Sequence, residues 1–221
     1  MIAEERKRAL VASVERLEAY QELQNLMGRT TAALNFGQAN RVLESFALDR
    51  RDVSLEYADE GVFEGREAVT AIVRQILKHA SEPGEMLDMQ LTTPMIEIAG
   101  DGRTAKAVWW CPGAGAVTAP GEDPQAIWAW GMVAVDFVKE PVGWRIWHLH
   151  YFRYIRCSYE KGWVEDTTMI HRPNTAMHPL AQPSTYHNPY SPYAVREGIP
   201  PCPQPYEAYD GPAWMTDRRK Q

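Results

Sequence analysis

The sequence lacks the features that would indicate nucleic-acid binding or a membrane span. It carries 23 Lys and Arg against 29 Asp and Glu, a formal net charge of -6, whereas phosphate binding needs a dense basic surface. No apolar run approaches the length of a transmembrane helix. The first residues, MIAEERKR, are not followed by the apolar stretch of a secretory signal. We therefore expect a cytoplasmic protein that binds neither nucleic acid nor membrane.

Cysteine is also scarce, and familiar cofactor motifs are missing. The three cysteines, Cys111, Cys157 and Cys202, are far apart and form no C-x-x-C pair. This spacing predicts reduced thiols rather than a disulfide framework or a zinc site. The sequence contains no G-x-G-x-x-G, P-loop or G-x-S-x-G pattern. We expect no cofactor and no resident metal.

What the sequence does have is aromatic residues and proline. It contains eight Trp, ten Tyr and 16 Pro in 221 residues, enough length to bury a core in one domain. The prolines are concentrated near the end of the chain, among many tyrosines. We expect residues 1–165 to form the domain and residues 166–221 a Pro/Tyr-rich arm. The aromatic content favours an ordered arm, which wraps its own body or a neighbouring subunit.

The hydrophobic pattern predicts helices followed by long strands. Apolar residues three and four apart predict one long helix from Ala3 to Phe36, or two helices with a bend between them, ended by Gly37. Alternation predicts a strand from Arg51 to Tyr57. A helix is predicted from Gly65 to about His79. Two hairpins follow, joined by residues 112–124: Met86–Ile98 with Thr104–Cys111, and Ala126–Lys139 with Trp144–Ser158. This order predicts an α+β fold, with helices packed on a curved antiparallel sheet around a cavity.

Three segments between residues 20 and 160 carry a recognisable pattern: a helix ending in Leu34-Asn35-Phe36-Gly37-Gln38, the stretch Gly61-Val62-Phe63-Glu64-Gly65-Arg66-Glu67-Ala68-Val69, and the strand Gly143-Trp144-Arg145-Ile146-Trp147-His148. In this order they resemble the SnoaL-like, or nuclear-transport-factor-2-like, superfamily. The resemblance implies a cone-shaped fold with one small-molecule pocket, commonly in a homo-oligomer (dimer or trimer). Its members include dehydratases, isomerases, cyclases and non-catalytic binders, so the fold alone does not give the function.

The resemblance also implies a catalytic pair on the first helix, from which this sequence departs. The dehydratases of the superfamily typically carry a Tyr and an Asp five residues apart, where this chain has Thr30 and Asn35. Asparagine cannot act as a general base, and threonine is a poor acid. We expect Thr30 and Asn35 to hydrogen-bond substrate, with helix-end capping as the alternative.

The last predicted strand has the most groups suited to chemistry. Alternation places Ile146, His148, His150, Phe152 and Tyr154 on one face, and Trp147, Leu149, Tyr151, Arg153 and Ile155 on the other. Histidine suits proton transfer near neutral pH. We predict His148 or His150 as the base and Tyr57 or Tyr154 as the acid. Histidines that only pack in the core, or a metal ion held by both, are the alternatives, and the sequence leaves open which face meets the cavity.

Aromatic and cationic side chains on these strands predict the substrate-binding groups. Trp109, Trp130 and Tyr151 would line the cavity beside a flat aromatic ligand. Arg153 would bind a carboxylate or phenolate, or else pair with a surface acid. Asp59 and Glu60 are expected to be turn residues.

These residues predict a cofactor-independent acid–base lyase that acts on an aromatic small molecule. Its overall character is similar to the superfamily's enzymes that release formaldehyde from lignin-derived diaryl propanediols to give stilbenes. A dehydratase or isomerase of a hydroxylated ring compound and a non-catalytic binding protein are the alternatives. A metal-dependent hydrolase or dioxygenase that uses His148 and His150 is a further alternative.

Overall fold

The helices precede the sheet, as the hydrophobic pattern predicts. A computed structural model describes residues 2–57, 59–78, 82–119, 121–171 and 178–220. Its helices are α1 (Ile2–Asn35), α2 (Ala39–Glu44), α3 (Gly65–Ile76), α4 (Gly162–Glu165) and α5 (Thr168–His171). Gly37 follows α1 with φ of 67°, a left-handed conformation that glycine adopts without strain. The predicted end of the third helix at His79 lies outside the described residues. Across the described ranges, no helix is both long and apolar enough to span a bilayer.

Within the described residues, nine strands form one sheet. They are β1 (Ser54–Tyr57), β2 (Gly61–Glu64), β3 (Met86–Met89), β4 (Thr92–Ile98), β5 (Thr104–Cys111), β6 (Gly113–Val117), β7 (Gln125–Glu140), β8 (Gly143–Ser158) and β9 (Ala181–Gln182). Their order is β3-β6-β7-β8-β1-β2-β9, and β5 pairs with both β4 and β7. All pairs are antiparallel except β1 with β8. The α+β prediction, a curved antiparallel sheet with N-terminal helices, is confirmed.

The first predicted hairpin is wrong in detail. The segment Met86–Ile98 is two strands, because β3 pairs with β6 whereas β4 pairs with β5. The predicted connection 112–124 contains β6, whose glycines concealed it in the sequence. A Cβ atom on Gly113 would lie 2.3 Å from the Met89 sulfur and 2.9 Å from the Ala129 carbonyl oxygen. Glycine here allows strands to approach closely and does not mark a loop.

The hairpin of β7 and β8 forms the centre of the sheet and contains two bulges. His148 pairs with Asp136 and Ile146 with Phe137, so that Trp147 is an extra residue; a second irregularity leaves Tyr154 unpaired. A bulge breaks the alternation of side chains. The prediction that Ile146 shares a face with His148 is therefore wrong, because Ile146 packs in the core beneath the helices.

Both faces of the central strands are buried. Helices α1, α2 and α3 cover one face, which we call the helix face, and enclose the main core and the cavity. Residues 178–220 of the arm cover the opposite face, called here the arm face. There Ile199, Trp214 and Met215 pack on apolar side chains of β5, β7 and β8. The arm also adds β9 to the sheet edge beside β2.

The contact between arm and sheet contains buried polar groups. The Asp136 carboxylate, on β7, is fully buried and accepts hydrogen bonds from Trp214 Nε1 at 2.7 Å and Tyr209 Oη at 2.8 Å. Nearby, the Lys106 ammonium pairs with Asp210. Burial raises the pKa of Asp136 to about 7, although the two hydrogen bonds oppose this shift. The arm therefore satisfies polar groups as well as covering apolar surface.

Candidate active site

A two-chambered cavity lies between the helices and the helix face of the sheet. The inner chamber has a volume of about 100 Å³ and the outer chamber about 350 Å³. Both are lined by Tyr57, Ile76, Leu87, Met89 and Tyr151, so the chambers adjoin. The remaining inner wall is formed by apolar side chains and two threonines. Since apolar cavities of about 150 Å³ bind benzene, the inner chamber is close in size to a single aromatic ring.

Two tyrosines stand where the chambers meet. Tyr57 of β1 is paired in register with Tyr151 of β8, and their ring centroids are 5.7 Å apart. The Tyr151 hydroxyl donates a hydrogen bond to the Ala129 carbonyl oxygen at 3.2 Å. Burial raises the pKa of Tyr151 well above its ordinary value of 10, so this phenol is protonated at neutral pH. The Tyr57 hydroxyl, by contrast, makes no hydrogen bond to any residue in the described ranges.

A buried cation adjoins the two phenols. The Arg153 guanidinium carbon lies 5.4 Å from the centroid of the Tyr57 ring, and the side chain lines the outer chamber. Arg153 donates a hydrogen bond to Asp59, which is 1% exposed. Burial disfavours the cation, but the carboxylate of Asp59, which accepts its hydrogen bond, raises the pKa of Arg153 above its ordinary value. A guanidinium paired with a buried carboxylate thus lies at the wall of the outer chamber.

The partner of Arg153 is Asp59, which the sequence predicts only as a turn residue. It lies two residues after the end of β1, and its side chain turns inward to Arg153 rather than outward to solvent. Glu60 also lies 3.8 Å from the Arg153 guanidinium. A signal was available, because an arginine predicted to face a cavity needs a nearby carboxylate. No sequence spacing identified which carboxylate that would be.

Thr30 and Asn35, both on α1, differ in their relation to the cavity. Thr30 lines the inner chamber, but its hydroxyl lies 2.8 Å from the Leu26 carbonyl oxygen and 2.7 Å from the Ser45 hydroxyl. Asn35 lies at the end of α1, where its amide nitrogen donates to the Met89 carbonyl oxygen at 2.8 Å and its amide oxygen accepts from the Met89 nitrogen at 3.0 Å. Asn35 therefore fastens α1 to β3.

The tryptophans predicted to bind substrate pack elsewhere. Trp109 is 3% exposed and packs edge-on against Phe137 at 6.2 Å in the core. Trp130 lies in an aromatic cluster with Trp128 and Trp163. Neither is among the residues described as lining the two chambers.

Three predicted catalytic residues lie on the arm face, away from the cavity. His148 Nδ1 is 2.9 Å from the Ser54 hydroxyl, and burial lowers its pKa to about 4. His150 is fully enclosed, with Nδ1 3.3 Å from Glu56, and burial lowers its pKa well below 6.5. The Tyr154 ring lies beneath the Arg196 guanidinium at 3.8 Å. Of the predicted groups, the structure brings Thr30, Tyr57, Tyr151 and Arg153 to the cavity.

The Glu56 beside His150 is bonded to the arm. Its carboxylate accepts hydrogen bonds from the Thr185 nitrogen and hydroxyl, both at 2.7 Å. Burial raises the pKa of Glu56, and the hydrogen bonds from Thr185 oppose that shift. In the part of the chain that the structure describes, no three His, Cys, Asp or Glu side chains are grouped so as to hold a metal ion.

The comparisons with known proteins agree with this architecture. A sequence model described as a SnoaL-like domain matches residues 15–150. No curated protein matches the chain. A candidate scytalone dehydratase from Novosphingobium aromaticivorans DSM 12444 superposes with a TM-score of 0.56 at 14% identity, over 66% of this chain and 91% of that one.

Two further solved structures share the fold. The hexachlorocyclohexane dehydrochlorinase LinA-type3 from Novosphingobium barchaimii LL02 superposes with a TM-score of 0.55 at 13% identity, over 66% of this chain and 93% of its own. A candidate aromatic ring hydroxylase from N. aromaticivorans superposes with a TM-score of 0.52 at 16% identity, over 64% of this chain and 94% of its own. Identities this low show the fold alone. With the domain match spanning most of the chain, the protein belongs to the SnoaL-like domain family.

Proposed function

We propose that the protein is a cofactor-independent acid–base lyase that acts on an aromatic small molecule. The leading reaction is release of formaldehyde from a lignin-derived diaryl propanediol to give a stilbene. The observation that carries this proposal is the Tyr57 hydroxyl, which has no hydrogen-bond partner among the described residues and lies at the junction of the two chambers beside the buried Arg153. A phenol without a protein partner is available to exchange protons with a ligand.

The shape of the cavity supports a substrate with two rings. The apolar inner chamber is close to the size of one aromatic ring, and the larger outer chamber would hold the second. The bonds between the rings would then lie at the junction. Polar groups that suit a phenolic or methoxy-substituted ring, including Gln75 and Arg153, line the outer chamber.

The proposed reaction needs one proton removed and one donated. The primary alcohol loses its proton, and the carbon–carbon bond to that carbinol breaks to give formaldehyde. The electron pair of the broken bond forms the new double bond, and the benzylic hydroxyl leaves as water. Because the two hydroxyls of a 1,3-diol are close together, Tyr57 could donate its proton to the leaving hydroxyl and take that of the primary alcohol. The phenol is regenerated and no oxidant is consumed.

Arg153 would stabilise the negative charge that develops in this step. The charge passes through the Tyr57 oxygen and the departing hydroxyl, next to a guanidinium held by Asp59. A charged group that is held in place and shielded from water stabilises such a transition state more than a solvated charged group does. Tyr151 keeps its proton and would position the substrate or Tyr57.

The relatives support an elimination in general terms. Two of the proteins that share the fold are described as a dehydratase and a dehydrochlorinase, and both names denote eliminations. Simple dehydration of a hydroxylated ring compound is therefore the second candidate. It would use the same Tyr57 as acid, but it requires a base that removes a proton from carbon.

The test is turnover of a panel of diaryl propanediols by the purified protein. We expect equimolar formaldehyde and stilbene from the diol, and no product from an analogue whose primary alcohol is replaced by methyl. An alkene that retains the hydroxymethyl group would instead indicate dehydration. Absence of turnover of every diol and every hydroxylated ring compound would contradict the proposed lyase.

A further inference from the structure

Within its described residues, the first half of α1 contains no buried residue, although Ala12, Glu15 and Arg16 lie beside the turn between β4 and β5. Residues 3–18 are exposed on every side of the helix, a length of roughly 24 Å at 1.5 Å per residue. Four large apolar side chains lie in this segment, namely Leu10 (66% exposed), Val11 (48%), Val14 (45%) and Leu17 (70%). An isolated helix of this length is only marginally stable in water. Its apolar residues therefore indicate a packing partner.

These apolar residues are not a continuation of the face that packs on the body. Farther along α1 the buried face begins at Ala19 and continues through Leu23 and Leu26. Leu10 and Ala19 are nine residues apart, about two and a half turns, and so lie on opposite sides of the helix. Leu10, Val14 and Leu17 have the four- and three-residue spacing of a helix-pairing seam. The body of the same chain cannot cover this seam without rotating the helix.

The charges of the segment indicate what covers it. A basic run, Arg6-Lys7-Arg8, precedes the seam. Of the acidic residues, Glu15 lies before the last residue of the seam, and Glu18 and Glu22 follow that residue. Lys7 and Glu18 are eleven residues apart, about three turns, and so lie on the same side of the helix. In an antiparallel pair of identical helices, Lys7 of one copy lies beside Glu18 of the other. A parallel pair would set the basic runs side by side, which is unfavourable.

We propose that the seam Leu10-Val14-Leu17 binds a second copy of this chain, as an antiparallel two-fold helix pair. The contact is isologous: Leu10 of each copy packs against Val14 of the other, and each Lys7 pairs with a Glu18. Leu10, Val14 and Leu17 are not among the residues that line the two chambers, so the proposal is independent of the proposed lyase activity.

The test is the mass of the full-length protein in solution, by sedimentation velocity over a range of concentrations. Leu10→Glu places a charge in the seam, whereas Ala9→Glu adds the same charge one residue away, off the seam. We expect Leu10→Glu to halve the mass of the assembly and to raise the dissociation constant by at least ~100-fold. Ala9→Glu should keep the wild-type mass.

A charge exchange tests the antiparallel arrangement. Lys7→Glu and Glu18→Lys should each weaken the assembly, and the double variant should restore it, because the opposite charges still meet. Circular dichroism should show helix lost on dissociation, with the remainder of the fold retained. A wild-type monomer, an unchanged mass for Leu10→Glu, or a double variant weaker than both single variants would overturn the proposal.

Discussion

Tyr57 and Tyr151 are direct neighbours across the parallel pair of β1 and β8, and their rings lie 5.7 Å apart. This pairing sets two phenols on the same wall of the cavity, but the hydrogen bonding of their hydroxyls differs. The Tyr151 hydroxyl is bonded to a backbone carbonyl, whereas that of Tyr57 has no bond within the described part of the chain. The two residues can therefore be compared by the same substitution.

The first prediction concerns this pair. Tyr57→Phe should lower kcat for the diol by about 10²–10⁴-fold, the usual contribution of a general acid–base group. Tyr151→Phe should lower it by no more than about tenfold, because this hydroxyl is committed to Ala129. Steady-state kinetics with unchanged circular dichroism would measure both. Equal losses from the two variants would contradict the assignment of Tyr57.

Filling the inner chamber should block one ring of the ligand. Thr31 lines this chamber from α1, whereas its neighbour Ala32 is exposed. Thr31→Phe should weaken binding of a stilbene by at least about tenfold, and Ala32→Phe should leave it unchanged. Fluorescence titration measures the affinity without requiring turnover. Unaltered affinity in Thr31→Phe would place the ligand outside the inner chamber.

The histidines of the arm face should be dispensable for turnover. His150→Gln removes the imidazole beside Glu56, but His150 does not line either chamber in the described structure. We expect kcat/KM within about threefold of wild type. The free energy of unfolding should fall by about 1–3 kcal/mol, because a buried polar contact is disturbed. Loss of turnover in a folded variant would show instead that His150 is needed for catalysis.

Asp136 should make stability depend on pH. Its pKa is about 7 in the folded protein and about 4 in an unfolded chain. A raised folded pKa means that the folded state binds the proton more tightly. The associated stability is fully present below pH 4 and is lost as the pH rises through 7, by an amount on the order of 4 kcal/mol.

Asp136→Asn isolates this contribution. The amide is neutral at every pH and retains partners in Trp214 and Tyr209. Urea unfolding should give similar stabilities for variant and wild type at pH 4, and a variant that is increasingly more stable up to pH 8. The exposed Asp123 supplies the control substitution, Asp123→Asn. A pH-independent difference between Asp136→Asn and wild type would contradict a buried titrating carboxyl.

Much of the fold follows from local sequence. The helix before Gly37 and the long hairpin of β7 and β8 have strong periodicity and clear turn residues, and both were predicted nearly to their ends. The strand β6 was missed because Gly113 and Gly115 are typical of loops. Their need for glycine arises from close contact with β3 and β7, which are distant in sequence.

The candidate site was harder to predict. Tyr57, Tyr151 and Arg153 were named from the sequence, and they reach the cavity. His148 and His150 lie opposite because successive residues on β8 face alternate sides, and both sides are buried. Composition cannot distinguish two buried faces. The bulge at Trp147 further shifts the alternation, which only the pairing with β7 reveals.

The arm has a practical consequence for shortened versions of this protein. The domain match ends at residue 150, yet residues far beyond it supply partners to Glu56 and Asp136. A fragment trimmed to the matched segment would expose a sheet surface carrying apolar side chains and two acids that have lost their hydrogen-bond donors in the arm. Expression vectors and fusion junctions should therefore retain the chain at least through Met215, which packs on that surface.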